Sequence, residues 1–187
     1  MLTSTEPSVG HLLISEPFMM DPNFKRSVII LTEYSETGAV GFVLNHISDN
    51  LLGDILPDTS YSEMPVYNGG PVGLNTLHFI HNRPDLIPNG IEIADGLFWG
   101  GDFEIVKQLV SDYELTDAEI KFFTGYSGWT TGQLERELME NVWMVTDKVD
   151  TETIFGTAEQ NLWKDMVKGL GIRYAHIANF PEDHSLN

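Results

Sequence analysis

HLLIS at 11–15, RSVIILTE at 26–33 and GAVGFVLN at 38–45 are short, apolar, partly β-branched runs packed into the first quarter of the chain. They are too short for stable helices, and their residue types favour extended backbone. Strands must pair with something to satisfy their N–H and C=O groups. A chain that begins this way is committed to a sheet. EPFMMDPNF, between the first two runs, carries two prolines and reads as a loop. SETG, between the second and third, predicts a hairpin turn.

The rest of the chain extends that sheet and then covers it. LLGDIL at 51–56 predicts a short helix stopped by Pro57. MPVYNGGPV predicts a strand entering a glycine-rich turn, TLHFIH at 76–81 a further strand, and IEIADGLFWGG a hairpin around Asp95–Gly96. Asp102 is placed to cap a helix whose Val106, Leu109, Val110 and Tyr113 share a face. TDAE at 116–119 predicts a turn, followed by a strand in IKFFTG. Thr130 and Gln133 have capping-box spacing before a helix carrying Leu134 and Leu138. VWMVT at 142–146 predicts a strand. AEQNLWKDMVKGLG predicts a helix with Leu162, Met166, Val167 and Leu170 in one stripe, and RYAHIA at 173–178 a closing strand. Strands and helices mix without strict alternation, which predicts an α+β (mixed α/β) fold in a single domain over 1–187.

Composition removes several function classes. There are no cysteines, so disulfides, thiolate zinc sites, Fe–S clusters and a cysteine nucleophile are excluded. No apolar run is long enough to span a bilayer, and MLTSTEPSVG lacks the basic and apolar parts of a secretory signal, so the expected location is the cytoplasm. Ten Lys and Arg stand against 28 Asp and Glu, a net charge of −18. Nucleic acid, with about one negative charge per 1.7 Å of duplex, would repel such a chain. Lys25–Arg26 and Lys164/Lys168 are its local basic groupings, and neither reads as a patch.

The motifs that carry chemistry are incomplete. Ser127 lies in GYSGW, but a nucleophile elbow needs its second glycine where Trp129 stands. The segment reads instead as a strand–helix junction with Tyr126 and Trp129 packed into it. His78 and His81 are three apart and would face opposite sides of a strand, so no metal site is predicted. NGGPVG lacks the spacing and lysine of a phosphate loop and reads as a tight turn. DPNFKRS holds Asp21 and Arg26, readable as a carboxylate–guanidinium pair or as an arginine gripping an anionic ligand. No catalytic residue and no cofactor are assigned.

Taken together, DPNFKRSV, VYNGGPV, GYSGWTTGQLE and TIFGTAEQNLWKDMVKGLGI, in this order and over about residues 10–180, resemble the AlgH/YqgE family of bacterial proteins. The resemblance implies a bifurcated mixed β-sheet folded into a pseudo-barrel and flanked by helices. It also argues against Ser127 as a nucleophile, since the family commonly has alanine there. It implies no established activity; one member's name links it to transcriptional control of exopolysaccharide synthesis. The expectation is a non-enzymatic binding or regulatory protein with a protein or small-molecule partner. Its surface would be built from Asp21, Arg26, Asn45, Asn68, Gly69, Gly70, Pro71, Tyr126, Gly128, Trp129 and Gln133. The alternative is an enzyme acting on a phosphorylated or nucleotide-like ligand, with Asp21 as base. A direct DNA-binding regulator is the third reading, and the net charge opposes it.

Overall fold

A computed structural model describes residues 3–56, 62–156 and 158–171, together with Tyr174 and Ala178. The first three runs form β1 (Leu12–Ser15), β2 (Val28–Ser35) and β3 (Gly38–Val43), an antiparallel meander with the expected hairpin between β2 and β3. β4 (Ile47–Leu51), α1 (Leu52–Ile55) and β5 (Pro65–Asn68) follow. β6 (Val72–His81) begins four residues earlier than TLHFIH suggests. β7 (Ile91–Ala94) and β8 (Leu97–Trp99) make the hairpin around Asp95–Gly96.

α2 (Phe103–Ser111) starts at Asp102, whose carboxylate accepts from the Glu104 and Ile105 amides. β9 (Ile120–Thr130) is the longest described strand and runs straight through GYSGWT. The expected strand–helix junction at Ser127 therefore lies farther on, at Thr131–Gly132, before α3 (Gln133–Met139). β10 (Trp143–Thr146), α4 (Thr151–Gly156) and α5 (Glu159–Gly169) complete the described elements. The strand expected over 173–178 falls outside the described residues except for Tyr174 and Ala178, neither of which is in a strand.

The sheet forks at β9. One edge of β9 pairs antiparallel with β6 over Ile120–Thr124 and, past an irregularity in the ladder, at Tyr126. The other edge pairs in parallel with β5 at Phe122–Thr124 and then antiparallel with β3 at Ser127–Thr130. β5 and β3 thus share one edge, and the Asn68–Pro71 turn enters where they diverge. Gly69 donates to Thr124 O, while its own carbonyl accepts from the Val43 amide and the Ser127 hydroxyl. A Cβ on Gly69 would lie 2.4 Å from Gly125 O, so only glycine lets the two backbones meet here. The main path runs β10-β1-β2-β3-β9-β6-β8-β7, with β4 carried by β5. It curls until β7 reaches the chain before β1, where a Cβ on Gly10 would lie 2.0 Å from Ile93 O. Strand pairing does not close the ring, because β10 and β7 remain at opposite ends of the path. The result is the bifurcated, helix-flanked α+β architecture with a pseudo-barrel rather than a closed one.

Both faces of the central strands are covered. Leu12 and Ile14 point to the face holding Phe42, Phe123 and the Leu162, Trp163 and Val167 stripe of α5. Leu13 points to the other face, with Ile29, Val43 and the Leu134 and Leu138 stripe of α3. This is why β1 and β10 are apolar at consecutive positions instead of alternating.

Candidate functional site

Three segments meet beside the fork: the loop before β2, the link between β3 and β4, and the first turns of α5. Between them lies a cleft of about 220 Å³ lined by Lys25, Arg26, Asn45, His46, Glu159, Gln160, Trp163 and Lys164. The two basic groupings that look unrelated in the sequence, Lys25–Arg26 and Lys164, therefore face one space. Among the described residues, Lys25, Arg26 and Lys164 line this cleft together with one carboxylate, Glu159, in a molecule with an overall charge of −18.

Its walls are built by backbone constraints. Arg26 is held at φ +51, a left-handed conformation uncommon for a residue with a side chain. Asn45 fixes the loop there: its Oδ1 accepts from the Val28 amide at 2.9 Å, and its Nδ2 donates to Arg26 O at 2.8 Å. His46 Nε2 lies 3.0 Å from Lys25 O. Burial holds the His46 imidazole below its ordinary pKa, with the Lys25 carbonyl opposing the shift. The neutral ring donates from Nε2 to that carbonyl. The Arg26 guanidinium lies 4.9 Å from the centroid of the Trp163 ring, and Trp163 Nε1 donates to Ser15 O, which anchors α5 to β1.

Behind the cleft is a group that sequence reasoning missed. Lys121 is 4 % exposed, with Nζ 3.2 Å from Leu44 O and 4.0 Å from the Tyr67 ring centroid. Among the described residues no carboxylate pairs with it. Burial lowers its pKa to about 8, opposed by the charges of Glu159 and Asp117. The Tyr67 hydroxyl donates to Glu159, a residue of the cleft wall. Burial, reinforced by that carboxylate, pushes the Tyr67 phenol well above its ordinary value. Burial pushes the Glu159 carboxyl up, but the Tyr67 hydrogen bond, its own backbone amide and Lys121 outweigh it and leave the group below its ordinary value. The legible signal was a lysine inside the apolar run IKFF, where period two places it on the same face as Phe123.

The other residues predicted for a binding surface lie elsewhere and are mostly occupied. Asp21 is exposed, and its Oδ1 accepts from the backbone and side-chain nitrogens of Asn23 rather than pairing with Arg26. Asn68, Gly69, Gly70 and Pro71 form the fork turn, and Tyr126 and Gly128 belong to β9. Trp129 is buried, and its Nε1 donates to Glu137 Oε2 at 2.9 Å. The same oxygen accepts from Trp143 Nε1 at 2.7 Å, while Gln133 donates to the other oxygen. Trp129 and Gln133 of the GW…GQLE motif are thus clamped through Glu137, two residues beyond it, between β9, α3 and β10. Of the predicted residues, Arg26 and Asn45 reach the cleft. Ser127 is fully buried and donates to Gly69 O, an arrangement that suits a strand and not a nucleophile. No group of three or more His, Asp or Glu is placed to hold a metal among the described residues.

A forked, helix-flanked sheet with these sequence blocks defines a class of bacterial proteins. A solution structure of the AlgH protein from Pseudomonas aeruginosa superposes with a TM-score of 0.71 at 25% identity, covering 96% of this chain and 98% of that one. A crystal structure of a Corynebacterium diphtheriae protein has the same fold, with a TM-score of 0.72 at 24% identity over 94% of both chains. The AlgH-like family model matches residues 12–175, and the chain belongs to that family. Proteins named UPF0301 from Parabacteroides distasonis and Chlorobium limicola are each 40% identical to it, over 97% and 95% of the chain and 92% and 95% of their own lengths.

Proposed function

We propose that this is a non-enzymatic binding protein of the cytoplasm whose cleft takes a small anionic ligand, and that any effect on transcription passes through that ligand or a protein partner. The observation that carries this reading is the convergence of Lys25, Arg26 and Lys164 on one cleft in a strongly acidic chain. Cationic side chains cost solvation when gathered, and an anion offsets that cost through charge-assisted hydrogen bonds.

The size narrows the ligand. About 220 Å³ is below the roughly 300 Å³ at which drug-sized ligand pockets begin. Trp163 is 2 % exposed and offers no open face on which a base could stack. Both observations favour a compact phosphate or carboxylate over a nucleotide. Asp21, the candidate base of the enzymatic reading, does not line the cleft. In the described structure no helix is long and apolar enough to cross a membrane.

The test is thermal unfolding of the wild type against inorganic phosphate, triose phosphates and small dicarboxylates. At a hundredfold excess over Kd a ligand stabilises by about 2.7 kcal/mol, a rise of roughly 5–11 °C for a chain of this size. Arg26→Gln and Lys164→Gln should each abolish the rise, and Lys164→Gln should do so while leaving the unliganded melting temperature nearly unchanged. Absence of stabilisation across the panel would remove the reading.

A further inference from the structure

Among the described residues Lys121 is the most deeply buried cation and makes no ion pair, and it lies next to the residues that line the cleft. Leu44, whose carbonyl takes its Nζ hydrogen bond, immediately precedes the cleft-lining Asn45. Tyr67, whose ring lies 4.0 Å from Nζ, is hydrogen-bonded to the cleft-lining Glu159. Burial disfavours its ammonium form and so favours the free, nucleophilic amine, although the Leu44 carbonyl, the Tyr67 ring face and the charges of Glu159 and Asp117 act the other way. The strand around it, Ile120–Phe123, is otherwise apolar, so packing alone would be served by leucine or methionine.

We propose that Lys121 is a covalent capture site for small anionic carbonyl compounds, such as 2-oxo acids or phosphorylated ketones, held in the cleft by Lys25, Arg26 and Lys164. The inference rests on the anion-binding reading of the cleft. The amine nitrogen adds to the carbonyl carbon, and the carbonyl oxygen takes up a proton to give a carbinolamine. Loss of the nitrogen proton and of that hydroxyl as water leaves a C=N bond. No oxidant or reductant is needed, and hydrolysis reverses every step. Tyr67 and Glu159 are the hydrogen-bonded pair beside the amine, placed to orient the departing hydroxyl. The reaction requires Nζ to leave Leu44 O and reach the ligand, a change of rotamer within the range of the four-carbon stem of lysine. The partial depression of its pKa, caused by burial, supplies some neutral amine near neutral pH.

The experiment incubates the full chain with glyoxylate or dihydroxyacetone phosphate, reduces with borohydride, and reads the adduct by intact mass and peptide mapping. The expected result is a single adduct, about tenfold more abundant at Lys121 than at the exposed Lys25 or Lys168, as a desolvated amine requires. Excess inorganic phosphate should suppress it, and so should Arg26→Gln, which leaves Lys121 in place. Lys121→Arg should lose it while keeping the charge. If that variant fails to fold, the wild-type peptide map and the Arg26→Gln yield still decide. No adduct, or labelling spread over exposed lysines, overturns the proposal. Phosphate stabilisation without a Lys121 adduct refutes the covalent step alone, whereas loss of both refutes the cleft.

Discussion

Glu137 shows how one side chain can carry a motif. It accepts from two indoles, Trp129 and Trp143, and from Gln133. Glu137→Ala leaves two largely buried N–H donors unpaired at about 1–3 kcal/mol each, so a loss of roughly 3 kcal/mol is expected in urea titrations. Trp129→Ala should cost roughly 3–5 kcal/mol and leave phosphate binding unaltered once the variant is folded. Lys121 makes the opposite kind of contribution. Its pKa falls from 10.5 in the unfolded chain to about 8 in the fold, so between these values the unfolded state binds more protons. Its contribution to stability is therefore lacking below pH 8 and rises as pH climbs from about 8 toward 10.5. Lys121→Met should flatten that rise between pH 8 and 10, before the tyrosines titrate, in denaturant midpoints measured across the range.

Among the elements, β9 and the Asn68–Pro71 turn decide the architecture together. β9 can carry two partners on one edge because the turn brings glycine backbone against it at the fork. Gly69→Ala would push a methyl to within 2.4 Å of Gly125 O and 3.0 Å of a Phe42 ring carbon. A loss of about 3 kcal/mol is expected from that overpacking. Amide exchange should speed up first at Val43 and Ser127–Thr130, where β3 joins β9. Equal acceleration throughout the chain would show that the fork is not a separately opening unit.

For the whole molecule, charge sets the response to solvent. A net charge of −18 repels itself, so stability should rise with salt as screening shortens those interactions. A melting temperature that falls with added sodium chloride would contradict this. Acid should act through His46, His78 and His81, each pushed below its ordinary pKa mainly by burial, with backbone carbonyls at Lys25 and Gly100 opposing it for His46 and His81. Because the folded values lie below the unfolded value of about 6.5, these groups contribute fully above that pH. Their contribution is lost as pH falls from about 6.5 through the folded values. His81→Asn, at the fully buried site beside Gly100, should weaken that dependence.

The sequence by itself determined the strand runs, the Asp102 cap, the β2–β3 hairpin and the α5 stripe, because each rests on interactions between near neighbours along the chain. β4 and α4 were not legible: ISDNL and TETIFG carry little apolar periodicity, and β4 is held by pairing with β5 across the intervening chain. The family blocks were legible as well, but their meaning was not. NGG reads as a turn, and only its approach to Gly125 and Tyr126 makes it the fork. The cleft is the clearest case. Lys25–Arg26 and Lys164 lie far apart along the chain, and in an acidic sequence each reads as an isolated charge. Side chains so distant in sequence become one site only when the sheet forks, α5 docks on β1 through Trp163, and Asn45 holds the Arg26 loop in place. That convergence depends on long-range packing, which no local pattern of residues encodes.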